Sequence, residues 1–216
     1  MAVWKKQAQA KGDGEGFERP PAGNHLAVLV AMIDMGTQRQ EYQGTESWVP
    51  RIYFCWELVA EKMSGTKDRN HVIGIDLTNS LHVKAKLRQW IEARKGKKMP
   101  DGMTYEIDKE LGQPSLLSVV LNKNGYPVVN GMGAVPRGQT VPPPSRHPFL
   151  WSLDDDYKKA GKIELPDWLP SLFGSSLADH IASCRELNPA GKKPAIRPPA
   201  EADMVAVADD EEEIPF

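Results

Sequence analysis

The hydrophobic period of this chain changes from that of a strand to that of a helix and back again, and that order limits the folds open to it. His25 to Asp34 is an apolar run, unbroken from Leu26 to Ile33, and it ends at Met35-Gly36, where the backbone can bend. Thr37 to Tyr42 continues it as a polar alternating stretch, so the two together predict one long, kinked strand. Trp48 to Ala60 is a second strand, dense in aromatic and β-branched residues. Alternation puts Arg51, Tyr53 and Cys55 on one face and Ile52, Phe54 and Trp56 on the other. A polar turn over Ser64 to Asn70 leads to a third strand, His71 to Leu77. From Leu81 to Lys95 the apolar residues Val83, Leu87, Trp90 and Ile91 take helical spacing. Thr78, Asn79 and Ser80 can cap that helix and Gly96 can stop it. A short helical turn is expected over Ile107 to Leu111. Strands return at Ser115 to Leu121 and Tyr126 to Val135, joined by the hairpin signal Asn124-Gly125.

The order β, β, β, α, β, β predicts a mainly β fold with helices: a five-stranded Greek-key barrel of the OB type, with a helix between strands three and four. A generic small α+β sheet is the other arrangement this order allows. Residues 1–23, rich in Gly, Pro and charge, read as a flexible N-terminal arm. The barrel domain spans residues 24–153, and Phe149 to Leu153 adds an edge strand after the Pro142-Pro143-Pro144 and Pro148 breaks. Residues 154–187 read as a helical appendage with Trp168, Leu169, Leu172, Phe173, Leu177 and Ile181 as its apolar stripe. Residues 188–216 form a disordered linker and tail. A hydrophobic fraction of 40% and a mean hydropathy of −0.47 suit a chain of which part does not fold. No apolar run approaches the ~18 residues that span a bilayer, so no membrane partner is expected. No signal-peptide pattern follows Lys5, Lys6 and Lys11. Cys55 and Cys184 have no redox or metal spacing and read as structural thiols in a reducing cytoplasm.

The net charge of −2 hides a segregation. The last sixteen residues hold seven acids (Glu201, Asp203, Asp209, Asp210, Glu211, Glu212 and Glu213) and no base. Removing these seven from the 29 acids leaves 22 against 27 bases, so residues 1–200 carry a surplus of five positive charges. Such asymmetry suggests a polyanion partner. The tail itself reads Asp209-Asp210-Glu211-Glu212-Glu213-Ile214-Pro215-Phe216. It resembles the tail of bacterial single-stranded-DNA-binding proteins, whose acidic run ends in Ile-Pro-Phe. Phe216 offers a ring for an apolar pocket, and its free carboxylate can pair with a neighbouring cation. Pro215 lowers the ordering cost, and the acids steer the tail toward basic surfaces. An acidic tail alone would only solubilise; it does not explain the apolar tip. The resemblance implies recruitment of replication and repair proteins.

Two further features point to a nucleic acid. Residues 82–98 hold Lys84, Lys86, Arg88, Arg94, Lys95, Lys97 and Lys98 against one acid, Glu92. Such a cluster attracts a phosphate backbone, though a solvated helix face has the same composition. On the strands, Trp48, Arg51 and Tyr53, with Trp56 beyond them, and then Lys123, Tyr126 and Arg137, interleave rings and cations as base-stacking grooves do. A packed barrel interior accounts for Phe54 and Trp56; Trp48 and Tyr53 are the candidates for an exposed platform.

The body adds a second resemblance. Leu29 to Asp34 followed by Gly36-Thr37-Gln38, then Phe54-Cys55-Trp56-Glu57-Leu58, then Ser80 through Arg88 (SLHVKAKLR), is similar to a family of bacteriophage proteins encoded among replication and recombination genes. The similarity covers residues 25–175. The body carries no evident match to the bacterial proteins that share the tail, so the oligomeric state is left open, a homo-oligomer included. The expectation is a non-enzymatic binder of single-stranded DNA in the cytoplasm of a bacterial host, presenting its tail to host replication and repair proteins. An adaptor that never touches DNA is the alternative. A metal-dependent nuclease built on Asp154 and Asp156 is a third reading, weakened because adjacent loop carboxylates usually form a solvated run. The five histidines are scattered, and no phosphate-binding GxxxxGK[ST] occurs, so no cofactor or metal is expected.

Overall fold

β1 (Gly23–Tyr42) is the strand on which the rest is assembled. One edge pairs antiparallel with β2 (Thr45–Lys62) from Ala27↔Leu58 to Tyr42↔Thr45. The other edge is shared. Its first part pairs antiparallel with β4 (Pro114–Leu121), and Ala31 to Ile33 pair parallel with β6 (Phe149–Trp151). β3 (Asn70–Thr78) extends the sheet beyond β2, and β5 (Pro127–Gly133) extends it beyond β4, giving the order β3-β2-β1-β4-β5. β3 and β5 approach each other, with no hydrogen-bonded ladder between them among the described residues. In this computed structural model the described residues are 18–64, 69–172 and 174–189. Most of the predicted N-terminal arm, part of the Ser64 to Asn70 turn, Phe173 and the whole acidic tail lie outside them.

One strand can serve two sets of neighbours only if it bends. β1 shifts register between Leu29 and Ala31 and again between Asp34 and Thr37. Gly36 sits at the second shift with φ +64°, and the Asp34 carboxylate accepts its N–H at 2.9 Å. A Cβ at Gly36 would come within 2.8 Å of both Cys184 and Leu153, so the bend needs glycine for backbone and for space. The bend falls where the sequence predicts it.

The helix starts later than its apolar spacing suggests. α1 spans Lys86–Lys95, not Leu81 to Lys95. Ser80 Oγ accepts the His82 N–H at 3.2 Å, and the His82 carbonyl accepts the Ala85 N–H at 2.8 Å. These local bonds satisfy the backbone in a turn and compete with helix. Gly96 ends α1 in the left-handed region, as expected.

The sheet is buried on both sides over much of β2. Ile52, Phe54, Trp56 and Leu58 face inward with Ile73, Leu77, Leu117 and Val129, and α1 closes this core with Leu87, Trp90 and Ile91. The rings of Trp56 and Trp90 stand 6.1 Å apart. The other face carries Ala31, Ile33, Met35, Tyr53, Cys55 and Val72. It packs against Trp151, Leu153, Leu177, Ile181 and Cys184. The stretch from 154 to 187 is thus a second layer on the sheet. Among its described residues α-helix is confined to α2 (Lys158–Ala160) and α3 (Leu177–Ala182), because Pro166 and Pro170 interrupt the stripe between them.

A buried carboxylate fastens the intervening loop. Glu57, 0% exposed, accepts the backbone N–H groups of Ser145 at 2.7 Å and Arg146 at 3.1 Å. It also accepts Arg146 Nη1 at 3.1 Å and Asn70 Nδ2 at 2.6 Å. Burial pushes its pKa up, but the donors from Ser145, Asn70 and Arg146 together outweigh burial and hold it below the usual carboxylate range.

Candidate nucleic-acid interface

Tyr53 is not an exposed platform. It is 1% exposed, its hydroxyl donates to the Pro170 carbonyl at 3.4 Å, and its pKa is driven upward by burial. The alternation that places it opposite Phe54 is right. Its surroundings come from the 154–187 layer, which lies over that face. Arg51 on the same face is occupied as well: its Nε donates to Asp76 Oδ2 at 2.9 Å and its Nη1 to Thr78 Oγ1 at 3.3 Å. The ring-and-cation pair expected at Arg51 and Tyr53 is therefore internal structure.

The basic cluster over residues 82–98 divides in two. Arg88 is buried and bonds Glu92 at 3.0 Å, Asp101 at 2.8 Å and the Leu81 carbonyl at 3.3 Å. Arg94 makes a two-point contact with Glu110, at 2.5 and 2.8 Å. Lys98 reaches Glu92 at 3.0 Å. Glu92 also accepts the Met99 N–H, and that bond, with Arg88 and Lys98, holds its pKa at about 2. These cations clamp the helix to the loop that follows it, whose acids at Asp101 and Glu110 lie beyond the cluster. Lys86 lies 4.7 Å from the Trp90 ring centroid, half-buried, and burial lowers its pKa. Lys95 lies 3.9 Å from the Tyr105 ring centroid. Lys84 and Lys97 are exposed and have no side-chain partner among the described residues.

The β4–β5 hairpin keeps its predicted groups at the surface. Tyr126 is 49% exposed, and the Arg19 guanidinium lies 4.2 Å from its ring centroid. Lys123 in the turn and Arg137 after β5 are exposed, with no side-chain partner among the described residues. One signal in the sequence marks this region and is absent from the motif-based reading: no acid occurs from Leu111 to Leu153. That stretch supplies β4, β5 and β6, together with Lys123, Arg137 and Arg146. Trp48 sits elsewhere, on the ribbon formed by Thr37–Tyr42 and Thr45–Pro50, which extends past β3. It is half-buried, with the Arg185 guanidinium 5.8 Å from its ring centroid.

No group of three or more His, Cys, Asp or Glu residues is placed to hold a metal ion among the described residues. Asp154 and Asp155 pair with Lys158 and Lys159 at 2.6 and 3.7 Å, and Asp156 accepts the Ser152 N–H at 2.7 Å. Cys55 and Cys184 are buried free thiols, and burial raises both pKa values, that of Cys184 to about 11. Among the described residues, no helix is long and apolar enough to cross a membrane. The tail residues Asp209 to Phe216 lie outside the described residues. No family model matches the chain, and no curated protein matches it.

Proposed function

We propose that this chain is a sequence-nonspecific single-stranded-DNA-binding protein of the OB type. It acts in phage replication, recombination and repair in the cytoplasm of a bacterial host, and it recruits host proteins through its Ile-Pro-Phe tail. The observation that carries this reading is the distribution of charge along the chain. The hairpin β4–β5 and its flanking loops contain no acid, whereas acids crowd the end of the chain ahead of an apolar tip. The strand order supports the OB assignment. A path β3-β2-β1-β4-β5 whose end strands approach each other, with a helix between β3 and β4, is that of a five-stranded Greek-key barrel just short of closure.

Titration of oligo-dT tests this directly. Affinity should fall steeply between about 0.05 and 0.2 M salt, since each neutralised phosphate releases counterions. Salt-independent affinity overturns a phosphate-driven surface. Deleting Phe216 should abolish capture of host replication and repair proteins while leaving DNA affinity unchanged or raised; retained capture refutes the anchoring role.

One observation favours the adaptor reading. The outer side of β2 and β3, where OB proteins commonly hold oligonucleotides, is covered by the chain itself. An adaptor gives no mobility shift with single-stranded DNA at any salt concentration. Magnesium-dependent loss of labelled DNA would instead reveal a nuclease.

A further inference from the structure

β4 and β5 turn Leu117, Val119, Val129 and Met132 into the core, so the residues between them face outward. On that outer side Val120 is 37% exposed and Val128 36%, and the two are cross-strand partners. Next along the strands, Ser118 pairs with Gly131, and Gly133 lies opposite Leu116. Neither glycine has the positive φ that would require it. A Cβ at Gly133 would meet nothing within 4 Å, and one at Gly131 would only touch Ser118 Cβ at 4.0 Å. Glycine weakens a strand; the register shift between Ser118 and Val119 puts Gly131 beside a bulge, which glycine suits, whereas no register shift falls at Gly133 and no internal packing calls for glycine there. Side by side on an open strand face, the two glycines also leave room for another group to approach the backbone closely.

We infer that the outer face of the β4–β5 hairpin, from Tyr126 through Val128 to Gly131 and Gly133, is the strip on which the bases of single-stranded DNA stack. This rests on the proposed DNA-binding function and names its site. Tyr126 supplies a ring at one end, and the glycines leave a low floor, bordered by Ser118, Val120 and Val128, on which planar bases lie. Arg19, Lys123 and Arg137 supply cations for the phosphates, and no acid of the Leu111 to Leu153 stretch opposes them. The same charge argues against a second copy as the occupant, because two such faces repel. The layer over β1, β2 and β3 leaves the strip uncovered.

The test introduces side chains on the floor. G131V and G133V add a β-branched residue that strands favour, so both should keep the wild-type circular dichroism and melting temperature. Oligo-dT affinity should fall about tenfold or more in each, since lost base stacking is costly. A60V, at another exposed strand position, should bind as the wild type does. Y126L, at an exposed site, gives an independent reading if a glycine variant fails to fold, and it should also weaken binding. Crosslinking of 5-iodouracil DNA should label Tyr126. Wild-type binding that survives G131V, G133V and Y126L unchanged overturns the strip and leaves the DNA-binding function standing. Failure of the wild type to bind oligo-dT at low salt removes the function itself. A dimer that G131V dissociates, with DNA affinity unaltered, would assign the face to self-association and also overturn the inference.

Discussion

The two wings of the sheet are built alike and finished differently. β2 and β3 alternate side chains to both faces and bury both; β4 and β5 alternate in the same way and bury one. On the first wing the outward residues meet Trp151, Leu153 and Ile181. On the second, Val120, Val128 and two glycines meet no such layer. A sheet thus offers to solvent whatever face its own surplus chain leaves uncovered, and the position of a strand in the topology does not settle which face that is.

The comparison breaks most readily at Trp151. If the 149–187 layer is true core, Trp151→Ala should cost about 3–5 kcal/mol in urea unfolding, as large-to-small changes in packed sites do. A cost below about 1 kcal/mol would make the layer a loosely attached flap. Glu57→Ala should cost about 3 kcal/mol, because it strands Arg146 and frees the loop that passes between the two wings. The same unfolding assay reads it. Acid titration sharpens the contrast between spent and free cations. Glu92 has its pKa lowered from 4.5 to about 2, so the stability it contributes is present above 4.5 and is lost as pH falls toward 2. Glu92→Gln should remove that part of the pH dependence. Smallest in stability is Lys123→Ala, within about 0.5 kcal/mol of the wild type. Its effect belongs to binding: the log–log salt slope for oligo-dT should become shallower by about 0.7 if the lysine neutralises one phosphate of the single strand.

Much of the sheet is legible in the sequence. The period change locates the helix, Met35-Gly36 locates the bend, Asn124-Gly125 locates the hairpin, and alternation assigns the faces of β2 correctly. Periodicity stops at the face, because it does not say what covers it. Tyr53 is hidden by Pro170, far along the chain, and no local pattern in β2 announces that contact. The cations of α1 show the same limit. Within residues 82–98 only Glu92 stands against seven cations, and it holds Arg88 and Lys98; the further acids that hold Arg88 and Arg94, Asp101 and Glu110, come after the window ends. The long acid-free stretch, by contrast, is visible in the sequence and calls for a census over strands and loops together. Such a census points to β4–β5 alone, where the interleaving of rings and cations names Lys123, Tyr126 and Arg137 beside the helix cluster and Arg51 and Tyr53 of β2.

Translation delivers the covering layer after the strands it covers. The ribosome releases β1, β2 and β3 well before Trp151, Leu177 and Ile181 exist, so the nascent sheet carries a greasy flank until those residues emerge. During that interval the flank is an aggregation hazard, and trigger-type chaperones have a ready target. A fragment released after Gly133 would keep the flank bare permanently and should precipitate, although every strand of its main sheet path is present.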